Sequence, residues 1–567
     1  MARYAYERLS AQDYSFLLAE TESVPMHVSA IGILEARALC RPEGGIDIAR
    51  FRAAIEGILH WIPRYRQKLA WIPIESWPTW VDDRHFDLGY HIRHIALPAP
   101  GTHEQLREIT GRIFSRRLDR QRPLWELWVI EGLEKGSQVA ILNKIHHCMI
   151  DGAAGADLST ILFSPSPKVE ESKPLPYYPR PAPTGIELLQ DRLREALGIP
   201  QTVLRTAKQL VQADRQALVG ELTARVRALA ELASLSFQPA SESPINGELS
   251  PNRRVDWITM PLDDVRELRA ALRCTINDVV LATVTGALRR YLFRRRVDAA
   301  KLDFRVSIPV NTRSAEHANQ MGNHVSTWIL RLPLEKTDPL DQVEAIRAET
   351  AERKQSNSAL ALDTVMKAAE YLPVALLKRG VGLVQGQINT IVTNVPGPQF
   401  PLYTVGAKLL GMYPIVPLIP GCGLGIALFS YEGKLCWGFN ADHHLIPNLE
   451  DFAEDVTSAF EDLRRAAVTH YLARRTAPSE RPEKPERSGG TDAPAGSGSG
   501  SGVKPEDPVP GKPTVRIERA QKPERRSAGP APATGGVHPP VHPPVLAPAQ
   551  TEHARVEPLL AETAVSS

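Results

Sequence analysis

Ile145-His146-His147-Cys148-Met149-Ile150-Asp151-Gly152 is the stretch on which the reading of this chain turns. It closes a mostly apolar run, Gln138 to Ile145, that reads as a buried strand. Ala153 to Leu162 behind it has helical spacing. The two histidines are therefore expected where a buried strand ends and a turn begins. Side chains alternate across a strand, so one histidine faces inward and its neighbour the other way. One can reach a substrate while the other packs or hydrogen-bonds. Asp151 can fold back beneath the ring of His147 or reach a distant arginine, and Gly152 allows backbone conformations that a Cβ forbids. Imidazole titrates near neutral pH, which makes it the natural base toward a hydroxyl. No HExxH and no further His or Cys at matching spacing accompany the pair, so no metal is expected. No GxSxG is present to supply a serine nucleophile.

Working outward, Met26 to Leu34 and Trp125 to Ile130 read as strands, and Ile48 to Leu59 and Gln105 to Leu118 as amphipathic helices. The chain from Ser164 to about Thr184 is rich in Pro, Ser and Lys and reads as a linker. Gly185 to Phe237 is a leucine-rich helical stretch with arginines on its polar positions. Beyond it, helices are predicted over Leu262 to Leu272, Asn277 to Phe293, Leu340 to Lys354 and Leu449 to Ala466. Strands are predicted over Phe304 to Val310, Thr327 to Arg331, Ile426 to Tyr431 and Lys434 to Asn440. Asn394 to Pro398 reads as a turn by composition. The domain organisation read from this pattern is 1–163, a linker and helical crossover over 164–254, a second domain over 255–472, and a Pro/Gly/Ser-rich tail over 476–567 that cannot bury enough apolar surface to order itself.

Composition removes several classes of function. Among 567 residues the formal net charge is +2, with both signs interspersed, so nothing marks a nucleic-acid partner. The five cysteines, Cys40, Cys148, Cys274, Cys422 and Cys436, form no CxxC pair, which argues against a disulfide framework or structural zinc and fits a reducing compartment. The longest charge-free run, between Lys408 and Glu432, is broken by Pro414, Pro417, Pro420 and four glycines. It reads as buried strands and turns rather than a membrane span.

The histidine motif has company. His146 to Gly152 matches the HHxxxDG pattern of the bacterial wax ester synthase/diacylglycerol acyltransferase family, and most of the chain resembles that family. The resemblance runs through Met26-His27-Val28, Phe86-Asp87-Leu88, a PLW element at Pro123-Leu124-Trp125, an ND element at Asn277-Asp278, Met321-Gly322-Asn323 and Asn394-Val395-Pro396-Gly397-Pro398. It covers roughly Leu9 to Ala466 and leaves the tail outside.

The resemblance implies an α/β (α+β) fold of two chloramphenicol-acetyltransferase-like domains, with an active-site tunnel at their interface. It implies an acyl-CoA-dependent O-acyltransferase that makes triacylglycerol or wax ester from diacylglycerol or a long-chain fatty alcohol, releasing CoA. Acyl-CoA is then a substrate, and no cofactor is expected. His147 is the expected base, His146 orients the loop, Asp151 is structural, and Asn277 is the expected oxyanion donor. Pro123, Leu124, Trp125, Gly152 and Asp278 are the further residues assigned to substrate binding, with Pro123 and Trp125 read as tunnel wall or core. A condensation-domain-like transferase acting on another alcohol or amine, and a non-catalytic lipid-droplet-surface protein, are the alternatives.

Acceptors of this kind are insoluble, so the expected location is cytoplasmic, peripheral to the inner face of the plasma membrane or to lipid inclusions. The docking segments expected from sequence are Asp363 to Gln385, where Lys367, Lys378 and Arg379 flank Leu372, Val374, Leu376 and Leu377, and the basic face of Gly185 to Phe237. Deleting everything after Arg475 is expected to leave acyl transfer on soluble substrates nearly intact. An assay of CoA release by the truncated chain checks this, and loss of turnover would show that the tail completes the site or the fold.

Overall fold

A computed structural model describes residues 6–73, 77–149, 162–169, 174–190, 239–311, 325–355 and 386–476. All of these lie in one compact unit, Met1–Glu480. Asp151, Gly152, the Met321 to Asn323 element, Asp363 to Gln385, most of the Gly185 to Phe237 stretch and the tail beyond Thr476 lie outside the described residues.

In chain order the first half supplies β1 (Glu7–Arg8), α1 (Ala11–Ala19), β2 (His27–Glu35), α2 (Ile48–Ile58), β3 (Gln67–Trp71), β4 (Pro78–Asp82), α3 (Leu88–His91), β5 (Ile92–Ala96), α4 (His103–Phe114), β6 (Trp125–Leu133) and β7 (Gln138–His146). The second half supplies β8 (Asn246–Gly247), β9 (Arg253–Pro261), α5 (Leu262–Leu272), α6 (Ile276–Arg294), β10 (Arg305–Asn311), β11 (Val325–Arg331), α7 (Pro339–Gln355), β12 (Thr390–Pro396), β13 (Tyr403–Thr404), β14 (Ala407–Ile415), β15 (Gly421–Cys422), β16 (Leu424–Tyr431), β17 (Lys434–Asp442) and α8 (Leu449–Thr476). Helix starts follow local chemistry. Ser10 caps α1 by accepting from the Asp13 N–H, and Thr102 with Gln105 forms a capping box on α4.

Two six-stranded mixed sheets carry the molecule, one ordered β13-β14-β2-β7-β6-β5 and the other β11-β10-β12-β16-β17-β9. The central strands of the first, β2 and β7, are apolar on both faces because both faces are covered. One face holds α1, α2 and the β3–β4 hairpin through Tyr14, Leu17, Phe51, Ile55 and Trp77. The other holds α4 through Leu106, Ile113 and Phe114. On the second sheet, α6 is buried over most of its length between the strands, α7 and α8. Gly286 lets α6 and α8 close, since a Cβ there would lie 2.9 Å from that of Ala459.

The first sheet is not built from residues 1–163 alone. β14 pairs antiparallel with β2, Ile415 opposite Ser29 and Met412 opposite Gly32, although it lies between strands of the second sheet in sequence. It also rests on β16 and β17: Asn440 Nδ2 donates to the Val416 carbonyl at 2.8 Å, and Lys434 Nζ to that of Leu410 at 2.8 Å. The approach is so close that a Cβ on Gly438 would sit 1.8 Å from the Pro414 oxygen. The charge-free run between Lys408 and Glu432 is thus strands and turns, as expected.

One expectation needs correction. Asn394, Val395 and Pro396 do not form a turn; they end β12, parallel to Leu428–Ser430 of β16, and the chain leaves the sheet only at Gly397. Composition misled because Pro396 sits at the strand terminus, where a missing N–H costs little. The stretch read as a linker after Ser164 is anchored at several described positions. Arg180 grips Asp82 with two guanidinium hydrogen bonds of 2.8 and 2.9 Å, Tyr177 donates to the Arg66 carbonyl at 3.1 Å, and Leu188 is buried.

Gly438→Ala is expected to destabilise the protein by about 3 kcal/mol or more, because backbone rather than a movable side chain fills the space. A denaturation midpoint equal to that of the wild type would refute the close approach of β14 to β17.

Candidate active site

Both histidines are set by backbone before any side chain acts. β7 runs between β2 and β6, with His27 opposite His146 and Trp125 opposite Ile145. Past the last ladder pair, the His146 N–H donates to the Leu124 carbonyl at 3.0 Å and the His147 N–H to the Met26 carbonyl at 2.8 Å. The Met26-His27-Val28 and Pro123-Leu124-Trp125 elements therefore clasp the motif from its two sides. Residues 147–149 then turn as a single 3₁₀ turn.

His146 faces the α4 side of the sheet and is almost fully buried. Its Nδ1 accepts from the Cys148 N–H at 3.2 Å, which closes the turn. That assigns the ring proton to Nε2, which points at Glu20 Oε1, 3.5 Å away. Burial opposes charge on Glu20, but His146 and Arg120 outweigh it and hold the carboxyl at about 2. Arg120 contributes hydrogen bonds of 3.0 and 2.7 Å to Glu20 Oε2. Burial in turn lowers the pKa of His146, with Glu20 working against the shift. A neutral His146 donating toward an ionised Glu20 satisfies both directions.

His147 leaves on the other side. Its ring stacks on Phe16 of α1, with centroids 3.7 Å apart and planes 19° from parallel. It is half-buried, with Nδ1 enclosed and without a hydrogen-bond partner. Packing around the ring, with a smaller contribution from His146, brings its pKa down to about 4. At neutral pH it is a free base. Two further buried groups lie on the α4 side. His27 Nε2 meets the Arg116 carbonyl at 2.9 Å, and Lys144 Nζ donates to the Ile113 carbonyl at 3.0 Å and to that of Arg116.

The remaining sequence-assigned residues fall into three groups. Pro123, Leu124 and Trp125 are buried; Trp125 donates from Nε1 to the Tyr65 carbonyl at 2.8 Å and stacks on His91 at 4.6 Å. Their side chains are core, and their backbone is what touches the motif. Asn277 and Asp278 open α6 in the other sheet's layer. Asp278 completes a capping box with Thr275 and accepts from Thr350 at 3.1 Å, so both carboxylate oxygens are engaged within the fold. Asn277 is exposed and makes no hydrogen bond to His147; its Oδ1 accepts from Asn394 Nδ2 at 2.9 Å, tying the ND element to the end of β12. Asp151 and Gly152 lie outside the described residues. Among the described residues no group of three or more His, Cys, Asp or Glu could hold a metal ion.

Models of the wax ester synthase/diacylglycerol acyltransferase catalytic domain and of the family's C-terminal domain match residues 9–280 and 321–464. The chain belongs to this family. It is 33% identical over 475 residues to a putative diacylglycerol O-acyltransferase of Mycobacterium tuberculosis, covering 81% of this chain and 90% of that one. The wax ester synthase/diacylglycerol acyltransferase of Marinobacter aquaeolei VT8 superposes with a TM-score of 0.56 at 26% identity, over 81% of this chain and all of the other. A starter condensation domain of rhizomide synthetase, solved with C8-CoA, shares the fold at 15% identity and a TM-score of 0.51, over 82% of this chain and 94% of that one. The enzyme is thus an acyltransferase, with the chloramphenicol-acetyltransferase-like α/β fold expected from sequence.

Phe16, Glu20, Arg120 and Lys144 were not identified from sequence. Only Lys144 left a trace there: a lone cation two residues before His146, hence on the same face of an otherwise apolar strand. Phe16 and Glu20 belong to α1 and its C-terminal cap, whose proximity to the histidines is a long-range fact.

Burial lowers the pKa of His27, His91, His146 and His147. The unfolded chain takes up protons near 6.5 while the folded one does not, so stability falls as pH drops below that value toward the folded pKa values. The unfolding midpoint is expected to be lower at pH 5 than at pH 7 in calorimetry. A midpoint that holds or rises on acidification would contradict neutral buried imidazoles.

Proposed function

We propose that the enzyme esterifies a lipid hydroxyl, that of diacylglycerol or of a long-chain fatty alcohol, with an acyl group from acyl-CoA, releasing CoA. The observation that carries the reading is His147: an unprotonated imidazole held by backbone on one side and by Phe16 on the other, with its Nδ1 enclosed. Nε2 is then the nitrogen left for chemistry. It takes the acceptor's hydroxyl proton as that oxygen attacks the thioester carbonyl. The tetrahedral oxyanion collapses, the C–S bond breaks, and the imidazolium returns its proton to the departing thiolate. A pKa near 4 makes the imidazolium a strong acid, which favours that return. No covalent acyl-enzyme is needed. For the oxyanion we assign Asn277, whose Nδ2 is the free end of an amide anchored through Oδ1 to Asn394. Asp151 we assign to holding the loop behind the histidines.

Relatives named as diacylglycerol O-acyltransferases favour diacylglycerol as the acceptor. The likeness to condensation domains is one of fold. Such acceptors reside in lipid, so we assign the enzyme to the cytoplasmic face of a membrane or the surface of a lipid inclusion. No single described helix is long and apolar enough to cross a membrane. The bent pair α5 and α6 passes on length and composition only, and its apolar residues form part of the second sheet's core.

His147→Ala is expected to lower turnover of palmitoyl-CoA with dioleoylglycerol or hexadecanol by ~10²–10⁴ while the protein stays folded. His146→Ala should cost less in rate and more in thermal stability, since it leaves the buried Glu20 carboxylate without one of its partners. In the wild type, kcat/KM should fall on acidification along a limb set by a group of pKa about 4, not one near 6.5. A variant retaining more than half the activity would sink the assignment of His147 as base.

A further inference from the structure

Between the C-terminal turn of α4 and strands β5 to β7 lies an open cleft of about 650 Å³ that the mechanism above does not use. Six of its lining residues are cations: Arg93, Arg112, Arg116, Arg117, Arg120 and Lys144. Three are acids, and each is already occupied. Glu20 is held by Arg120 and His146, Glu126 by Arg93 at 3.2 Å and the Trp128 indole at 3.0 Å, and Asp119 by Arg122 at 3.4 Å. The cations are not balanced in the same way. The Arg116 guanidinium makes no ion pair or hydrogen bond among the described residues. Arg112 and Arg117 have only solvent-exposed partners, Glu108 and Glu22, and such pairs contribute little. Lys144 is 1% exposed, donates to two carbonyls, forms no direct ion pair among the described residues although Glu126 and Glu20 support its charge, and still has a third N–H to donate. Burial lowers its pKa only to about 8, so it is charged at neutral pH. Ile95, Ile109 and Ile113 give the cleft an apolar wall, so its size and lining suit an organic anion better than a bare ion.

We propose that this cleft binds the phosphate groups of the acyl donor's nucleotide, with Lys144 at the floor and Arg112, Arg116 and Arg117 at the rim. Guanidinium groups match phosphate oxygens in planar, two-pronged hydrogen bonds, and a cleft with unbalanced positive charge concentrates a polyanion at its mouth. The location fits. Glu20 lines the cleft and reaches to 3.5 Å from His146, the histidine on the cleft's side of the sheet, while His147 lies on the opposite side; the long flexible arm of CoA is what has to carry the thioester from this cleft to His147. The inference rests on acyl-CoA being the donor.

Arg112 and Arg116 are exposed, so their charge can be changed without disturbing the core. The test measures CoA binding by calorimetry, and turnover with palmitoyl-CoA and palmitoyl-pantetheine, in the wild type, Arg112→Glu/Arg116→Glu and the milder Arg112→Gln/Arg116→Gln. Loss of charge-assisted hydrogen bonds should weaken CoA binding and raise the KM for palmitoyl-CoA about tenfold or more. The preference for palmitoyl-CoA over palmitoyl-pantetheine should shrink by a similar factor, and dephospho-CoA should bind the wild type more weakly than CoA does. A phosphatidic-acid vesicle arm separates the other source of the same chemistry. If the substitutions weaken vesicle binding but leave CoA affinity and KM unchanged, the cleft serves lipid phosphate and the proposal is overturned. It is equally overturned if neither changes. A wild type that binds CoA in a charge-dependent way but turns over no palmitoyl-CoA would fail the catalytic reading and leave the cleft assignment standing.

Discussion

The pairing of β7 with β2 on one side and β6 on the other is the constraint from which the rest of the site follows. A strand hydrogen-bonded on both edges and covered on both faces has no freedom of register, because a slip of one residue would turn every apolar side chain to the wrong face. That immobility is handed to His146 and His147 through the carbonyls of Leu124 and Met26, each of which accepts one histidine N–H. A general base must be held to within a fraction of an ångström to be effective. Here the strand backbone fixes both histidines, and Phe16 packs on the ring of His147, the residue proposed as base.

Charge is arranged in opposite senses around the two rings. His146 lies in a charged network, its Nε2 3.5 Å from Glu20, which Arg120 holds, with His27 and Lys144 close by. His147, one residue on, has an apolar neighbour and an unpaired nitrogen. Its lowered pKa is a consequence of that difference: burial opposes the imidazolium, and among the described residues no carboxylate stands against its ring. The alternation of side chains at a strand end is what lets adjacent residues occupy such different surroundings. It separates a histidine facing a carboxylate from one stacked on an aromatic ring without any intervening chain.

The two sheets are joined as firmly as either is built. β14 is hydrogen-bonded in the first sheet and stacked on the second, and Arg107 of α4 pairs with Asp256 of β9 while its guanidinium lies 4.9 Å from the centre of the Trp257 ring. Arg253, buried at the start of β9, reaches Asp442 at 3.2 Å and also the Ser23 carbonyl, just before β2, the strand paired with β7. With two halves locked in this way, the distance between His147 and the Asn277–Asn394 pair is a property of the framework.

How much of this was legible in the residues varies by feature, for physical reasons. The strand at Gln138, the turn after it and the placement of two histidines on opposite faces follow from local periodicity, and most helices and strands of the second half follow in the same way. The family follows from motifs whose spacing along the chain is itself informative. Asn394 to Pro396 went the other way: turn-forming composition yielded to pairing with β16. What local sequence could not carry were contacts between distant segments. These are the insertion of β14 into the first sheet, Phe16 against His147, the charge network linking Glu20 and Arg120 across a hundred residues, and the use of Pro123 to Trp125 as backbone anchors rather than as a substrate wall. Sequence by itself determined which chemistry the chain can perform, because imidazole reactivity and strand alternation are properties of a few adjacent residues. Tertiary structure alone decided which partners each histidine meets and at what pKa, because burial and partners are supplied by α1, β2 and β6, and nothing local to the motif encodes where they lie.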